Sequence, residues 1–204
     1  MDTRKVMGLA LIVPPVVAIV GWFFMGFVVF GGVGPDKPGE YIAELRANSE
    51  VVKYVMPLIT ILFLAAIWGI NYIKNSMEGG SGHLLAGFGF FLVVLGSAAQ
   101  LGEVAFTIAT AEGPGSMAGA MHTSSQAMGT VSTAVTMVGA ALIGIGILQQ
   151  KNFNPLIGGL LTVAGIYCTV MALTAYDSPL MGIGFIAIVV SFVCLGVSLL
   201  RNEE

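Results

Sequence analysis

The stretch from His83 to Thr110, HLLAGFGFFLVVLGSAAQLGEVAFTIAT, decides the fold class. It exceeds the roughly 20 residues that an α-helix needs to cross the hydrocarbon core of a bilayer. A single acidic side chain, Glu103, interrupts its apolar character. The stretch therefore predicts a transmembrane helix, and Glu103 is the residue in it that most needs a chemical explanation.

Five further apolar segments surround this one, and the breaks between them carry turn-forming residues. GGVGPDKPGE follows the first segment, NSMEGGSG the second and AEGPGSMAG the third. Clusters of Gly, Pro, Asn and Ser end helices and form loops. We therefore predict an all-α, polytopic integral membrane bundle in one domain, residues 1–204, with six transmembrane helices at about 6–30, 52–73, 83–110, 121–148, 155–175 and 180–200.

The composition supports this fold class and excludes others. Of the 204 residues, 56% are hydrophobic and only 9% are charged, whereas soluble domains average about 25% charged residues. The net charge of −3 gives no basis for a nucleic-acid partner. Cys168 and Cys194 both lie in apolar segments and are predicted to be small buried side chains. The first predicted partner is therefore the lipid bilayer.

The distribution of Lys and Arg predicts the orientation. A cytoplasmic N terminus puts three basic residues of the long first connection outside, Lys37, Arg46 and Lys53. It puts five on the cytoplasmic side, Arg4, Lys5, Lys74, Lys151 and Arg201. The short loops near residues 111–120 and 176–179 hold no Lys or Arg. By the positive-inside rule, we expect both termini in the cytoplasm.

The connection between the first two spans contains an amphipathic segment, KPGEYIAELRANSEVVKYV. Tyr41, Ile42 and Leu45 recur at helical spacing among charged residues. This pattern is typical of a short helix that lies on the membrane surface or covers one end of a bundle. With the orientation above, the segment is extracellular. A lid that controls access to a ligand is the more specific alternative.

Polar side chains around Glu103 predict a binding site open to the outer leaflet. Gln100 and Glu103 share one face of the third span, and the fourth span opens with the polar sequence MHTSSQAMGTVSTAVT. The short loop between these spans makes them antiparallel neighbours, with Glu103 at the depth of residues 126–130. The predicted ligand or proton site comprises Glu103, Gln100, His122, Ser125 and Gln126, with Tyr176 and Asp177 at its mouth.

A structural role for the same residues stays open. Ser, Thr and Gln side chains in membrane helices often hydrogen-bond across an interface, at about 0.6 kcal/mol each. A neutral Glu103 hydrogen-bonded to Gln126 would need no ligand. Small-residue stripes on the fourth and fifth spans also predict close helix packing: Gly139, Gly144 and Gly146, and Gly158, Gly159 and Gly165.

Metal and cofactor chemistry has little support in the sequence. The two histidines, His83 and His122, are predicted at opposite ends of the bundle, so they cannot bind one metal ion together. His122 is the one metal-ligand candidate, with Glu103 and Asp177 as conceivable further ligands of a hydrolytic zinc site. No ligand spacing supports that set, and we predict no cofactor.

A family resemblance rests on the fourth and fifth spans. His122 opens the fourth span, VGAALIGIGIL (138–148) continues it, and QQKNFNPLIGGLLTVAGIYCTV (149–170) leads through Pro155 into a Gly-rich helix with Tyr167. This pattern, with the acidic segment between the first two spans, resembles a group of bacterial and archaeal six-span membrane proteins with a domain of unknown function. The resemblance implies six spans, a location in the plasma membrane of a prokaryote, and no particular activity. Glu103 lies outside the matching pattern.

Three classes of function follow from these observations. The first is a non-catalytic membrane protein, either a small-ligand or lipid-binding bundle or an accessory subunit of a membrane complex or homo-oligomer. It is favoured by the short loops and the lack of a catalytic set of residues. The second is a transporter or channel for a small or protonatable solute, with Glu103 as the proton or cation site. The third is a membrane-embedded, metal-dependent hydrolase that uses His122 and Asp177.

Overall fold

The computed structural model describes residues 2–201 and is helical over 86% of the chain, with no strand in that range. α1 (Thr3–Phe23) continues into a π-helical segment (Phe24–Val29). A short helix, α2 (Pro38–Ala47), precedes the remaining five: α3 (Ser49–Asn75), α4 (His83–Glu112), α5 (Ala118–Gln150), α6 (Pro155–Ala175) and α7 (Met181–Arg201). A turn of 3₁₀-helix, Gly115–Met117, leads into α5.

Within residues 2–201, six helices are long and apolar enough to cross a membrane: α1 with its π segment, and α3 to α7. This confirms the six predicted spans by length and composition. Most helices extend beyond the predicted bounds; the fourth, predicted at 121–148, occupies Ala118–Gln150. Polar residues at the ends of these helices continue the helical backbone, although they are not apolar enough for the hydrocarbon core. The orientation in the membrane stays a prediction.

The six spanning helices of the described chain pack as a closed ring. Each packs against the next, from α3 through α4, α5 and α6 to α7, and α1 closes the ring between α7 and α3. Leu11, Ile70, Val93, Ile143 and Leu195 from five of these helices are buried in the shared apolar core. Because helices that are adjacent in the sequence are mostly adjacent in the ring, the short loops need not cross the bundle.

Glycine lets the helices around α5 approach closely. A Cβ at Gly89 of α4 would overlap the carbonyl oxygen of Gly139 of α5, and a Cβ at Gly139 would overlap that of Gly89. Gly144 and Gly158 make the same reciprocal contact between α5 and α6. Five of the six predicted stripe glycines thus lie at helix interfaces. The prediction is wrong for Gly159, where a Cβ would meet nothing within 4 Å.

The prolines of the first span do not interrupt it. α1 runs through Pro14 and Pro15 to Phe23 in α geometry. The departure from that geometry comes later, in the π segment, whose C-cap N–H at Phe30 donates to Met25. Proline removes a donor and crowds the preceding turn, but it leaves the helical dihedral angles available.

The helix α2 covers one end of the bundle. Its Tyr41 and Leu45 are buried, and the helix packs against α3, α4 and α5. We call this end, which also holds the α4–α5 and α6–α7 loops, the α2 end, and the opposite end, with residue 2 and Arg201, the terminal end. The predicted amphipathic segment therefore covers the bundle, as one of its two interpretations expected.

Arg46 fastens α2 to the end of α4. Its Nη1 donates to the carbonyl oxygen of Gly113 at 2.8 Å and to that of Thr110 at 3.4 Å. The carbonyl groups of the last turn of a helix lack intrahelical donors. A guanidinium group there donates to them, and its positive charge interacts favourably with the negative end of the helix dipole. Arg46 thus holds the cover in place.

Loss of this contact should loosen α2 without unfolding the bundle. Arg46→Met keeps the apolar stem and removes the donors, which should favour local opening by about 1 kcal/mol. Hydrogen exchange of the amides of residues 39–47 should then become about fivefold faster, while α4 and α5 are unaffected. Lys37→Gln, a change at an exposed residue of the same segment, is the matched control. Unchanged exchange in Arg46→Met would contradict the fastening role.

Candidate functional site

Glu103 of α4 is hydrogen-bonded to Tyr176 at the C-terminal end of α6. The Tyr176 hydroxyl donates to Glu103 Oε1 at 2.7 Å. α4 and α6 are both neighbours of α5 in the ring, and this contact joins them across it. A tyrosine hydroxyl donating to a carboxylate is a charge-assisted hydrogen bond, which is stronger than a neutral one.

The second carboxyl oxygen of Glu103 has no protein partner within residues 2–201, and it is not among the fully enclosed orphan atoms of that range. No described cation pairs with it either. Lys53 forms an ion pair with Glu112 at 2.8 Å, and Arg46 donates to carbonyl oxygens. One oxygen of the carboxyl group is therefore held by Tyr176, and the other has no hydrogen-bond partner among residues 2–201.

Two residues of α5 shape the space for the tyrosine. A Cβ added at Gly129 would overlap the hydroxyl and ring of Tyr176, so the glycine leaves room for the tyrosine side chain beside α5. The Thr133 side chain, one turn further along α5, lies near the Tyr176 hydroxyl. Because only a hydrogen occupies the position at Gly129, the hydroxyl reaches Glu103.

The backbone of Glu103 is held by a second set of hydrogen bonds. The Ser125 hydroxyl of α5 donates to the Glu103 carbonyl oxygen at 3.1 Å. The Thr107 hydroxyl lies 2.9 Å from the same carbonyl oxygen and 2.8 Å from the Ser125 hydroxyl. Both side chains are buried. These contacts fix the rotation of α4 about its axis, and with it the direction of the Glu103 side chain.

Aromatic side chains close the site towards the α2 end. The rings of Tyr41 and His122 lie 5.7 Å apart, and that of Phe30 packs edge-on against Tyr41 at 5.4 Å. Burial and the nearby Glu103 charge raise the pKa of Tyr41, and the same causes raise the pKa of Tyr176 well above its usual value. Both phenols therefore stay neutral at ordinary pH and add no negative charge beside the carboxyl group.

Of the predicted site residues, the structure brings together Glu103, Ser125, Tyr176 and His122, the last through Tyr41. It does not join Gln100 or Gln126 to the cluster; both are half-buried. No hydrogen bond links Gln126 to Glu103 within the described chain, and Tyr176 takes the place that Gln126 was predicted to fill. Asp177 is exposed, one residue beyond Tyr176, and does not contribute.

The metal-ligand set considered from the sequence is not assembled. Among residues 2–201, no three His, Cys, Asp or Glu side chains lie close enough together to hold a metal ion. His83 begins α4 at the terminal end and His122 lies near the start of α5 at the α2 end, which agrees with their predicted separation.

Four residues of the cluster escaped the sequence analysis as site members: Tyr41, Thr107, Gly129 and Thr133. Thr107 carried a detectable signal, because it lies one turn after Glu103 on the same face of α4. Gly129 lies within the predicted depth range, residues 126–130, but only its contact with Tyr176 explains its role. Tyr41 belongs to α2, whose placement over α4 and α5 cannot be read from hydropathy.

No protein-family model, no curated protein and no solved structure matches this chain. The resemblance to bacterial and archaeal six-span proteins therefore stays a prediction. The function has to be inferred from the geometry of the site.

Proposed function

We propose that this chain is a non-catalytic integral membrane protein that binds one small cation, a proton or a protonated amine, at Glu103 beneath α2. The observation that carries the proposal is the carboxyl group inside a spanning helix, with one oxygen held by Tyr176, the other free, and no described cation beside it. An unpaired carboxylate in such a place is unfavourable, and a bound proton or cation removes that cost.

The surroundings suit a small cation. The Tyr176 phenol contacts the carboxyl group, and Tyr41, whose ring packs against that of His122, lies near it; aromatic faces attract cations. Both the held and the free oxygen of Glu103 are hydrogen-bond acceptors, which matches the N–H donors of an amine. A cation that enters from the α2 end requires α2 to move, because the Tyr41 and Leu45 side chains of α2 are buried against the bundle.

Binding from one end is favoured over conduction through the bundle. On the way from Glu103 to the terminal end, α3 to α7 pack apolar side chains around a void of about 10 Å³. That volume is at the lower limit for a single water molecule, and an apolar lining does not hold one. A proton or ion would have no polar path through this layer. In the predicted orientation, the site exchanges its ligand with the outer side.

The proposal is tested by infrared difference spectroscopy of the carboxyl groups in lipid nanodiscs. Samples are compared between acid and alkaline pH, and with and without methylammonium, for the wild type, Glu103→Gln and Asp177→Asn. We expect a carboxyl band that responds to pH and to methylammonium in the wild type and in Asp177→Asn. The band should be absent in Glu103→Gln.

Asp177→Asn is the matched control because it removes a carboxyl group one residue from Tyr176, but at an exposed position. A Glu103 band that responds to neither pH nor any added cation would leave the glutamate a structural residue. Methylammonium flux into sealed proteoliposomes, lost in Glu103→Gln, would instead establish the transport alternative. The accessory-subunit alternative stays a prediction.

A further inference from the structure

A groove at the terminal end, remote from Glu103, has the features of an anion site. It has a volume of about 380 Å³ and lies between the α5–α6 turn and the last turns of α7. Its lining consists of six residues of the described chain: Lys151, Asn152, Phe153, Asn154, Ser198 and Arg201. Two are basic and none is acidic.

The turn that forms one wall is held by several contacts. Lys151 caps α5 in the left-handed conformation, with φ of 57°, and its N–H donates to Ile147. The Asn152 amide donates to the Ser76 hydroxyl at 3.0 Å, which ties the turn to the α3–α4 loop. Asn154 caps α6 by accepting from the N–H of Leu156 at 2.9 Å. The groove is therefore a shaped feature of the fold.

Charge in the groove is unmatched within the described chain. The Lys151 and Arg201 side chains are exposed, and neither makes a hydrogen bond or ion pair with another residue of the range 2–201. The N-terminus of α6 adds the positive end of a helix dipole, although Asn154 already satisfies its first free N–H. The attraction for an anion therefore comes from the two side chains.

The position of the groove indicates which anion it meets. It lies where three spanning helices end, at the level expected for lipid headgroups. Directly beyond it, α6 presents an apolar strip to the outside, with Leu156 79% and Val163 67% exposed. Basic side chains next to spanning helices attract anionic lipids. We propose that this groove binds the phosphate headgroup of an anionic phospholipid, with the acyl chains lying along α6.

A competing explanation is that both cations serve only the helices they end. Lys151 follows α5 and Arg201 ends α7. A cation near the C-terminus of a helix stabilises that helix through its dipole. This explanation predicts effects of substitution on stability, but no preference for one lipid over another.

The test measures lipid binding by native mass spectrometry of the full chain released from detergent, with phosphatidylglycerol or phosphatidylcholine added. Lys151→Asn removes the charge while keeping a residue that tolerates the left-handed conformation. Arg201→Gln removes the other charge. We expect each to weaken phosphatidylglycerol binding about fivefold and to leave phosphatidylcholine binding unchanged. Lys37→Gln at the α2 end removes one charge elsewhere and should have no effect.

Lys151→Arg and Arg201→Lys keep the charge and should bind phosphatidylglycerol as the wild type does. Retained binding in these variants would show that the loss in the neutral variants comes from the missing charge and not from a damaged fold. Equal binding of phosphatidylglycerol and phosphatidylcholine to the wild type would overturn the proposal. So would an equal loss in Lys37→Gln, because the effect would then reflect net charge alone. Soluble glycerol phosphate that competes as strongly as the lipid would also overturn it, since the site would then recognise a free phosphate.

Discussion

Gly89→Leu should be the most destabilising single substitution of those considered, at about 3 kcal/mol. The α4 backbone at Gly89 lies against the α5 backbone at Gly139, with the side chains of Leu142 and Ile143 on either side. A new Cβ would overlap a carbonyl oxygen that belongs to a helix and cannot swing aside. The new side chain therefore fits only if α4 and α5 move apart, and this movement opens the tightest interface of the ring.

Gly87 provides the control for this prediction. It lies on the same helix two residues earlier, and a Cβ there meets nothing within 4 Å. Gly87→Leu adds the same side chain towards the lipid and should change stability by less than about 0.5 kcal/mol. The free energy of unfolding in mixed detergent micelles distinguishes the two variants. Equal values for Gly87→Leu and Gly89→Leu would mean that close α4–α5 contact is not what stabilises the ring.

Gly129→Ala should displace Tyr176 from Glu103, with a cost of about 1–3 kcal/mol. A Cβ at this position overlaps three atoms of the tyrosine side chain, including its hydroxyl. The ring has to shift, and the hydrogen bond to Glu103 Oε1 is then lost. The variant should therefore impair cation binding at Glu103 although residue 129 itself carries no functional group.

A double-mutant cycle isolates that contact. In a Tyr176→Ala background the alanine at position 129 has room, and its cost should fall to about zero. Gly119→Ala, at a position on the same helix with open space around it, should be neutral in both backgrounds. If Gly129→Ala costs the same with and without the Tyr176 side chain, the glycine serves another contact and the proposed shaping of the site is wrong.

Hydropathy was sufficient to predict the spanning helices, but it says little about what lies between them. A run of apolar residues must leave water wherever it packs, so the six spans of the described chain follow from the sequence. The closure of the ring by α1 does not, because it joins elements far apart in the chain. α2 was recognisable from the spacing of Tyr41 and Leu45. Its position on the bundle depends on the hydrogen bonds of Arg46 to the end of α4, which the spacing does not report.

The candidate site shows the same division. Glu103 could be found because a carboxyl group in an apolar segment is rare and needs a reason. Its predicted depth on the fourth span was close enough to include Gly129, but depth does not determine which face of a helix turns towards a neighbour. Gln126 and Gly129 are three residues apart and lie only about 60° apart around the helix axis, so the sequence could not tell which of the two lies beside Tyr176; the structure places Gly129 there. Tyr176 itself comes from a different helix, at a distance that no local pattern reports.

The seam between α1 and α7 has a consequence for how the protein is made. Gly8 and Gly196 meet there, each lying against the carbonyl oxygen of the other. α1 leaves the ribosome long before α7 does. The face of α1 that carries Gly8 therefore has no helix to pack against while the intervening helices are inserted. The ring can close only when α7 arrives. Of the two helices that flank α1 in the finished ring, only α3 is present during that interval. A chaperone or insertase that covers the Gly8 face of α1 until α7 arrives would protect the nascent chain from wrong pairing.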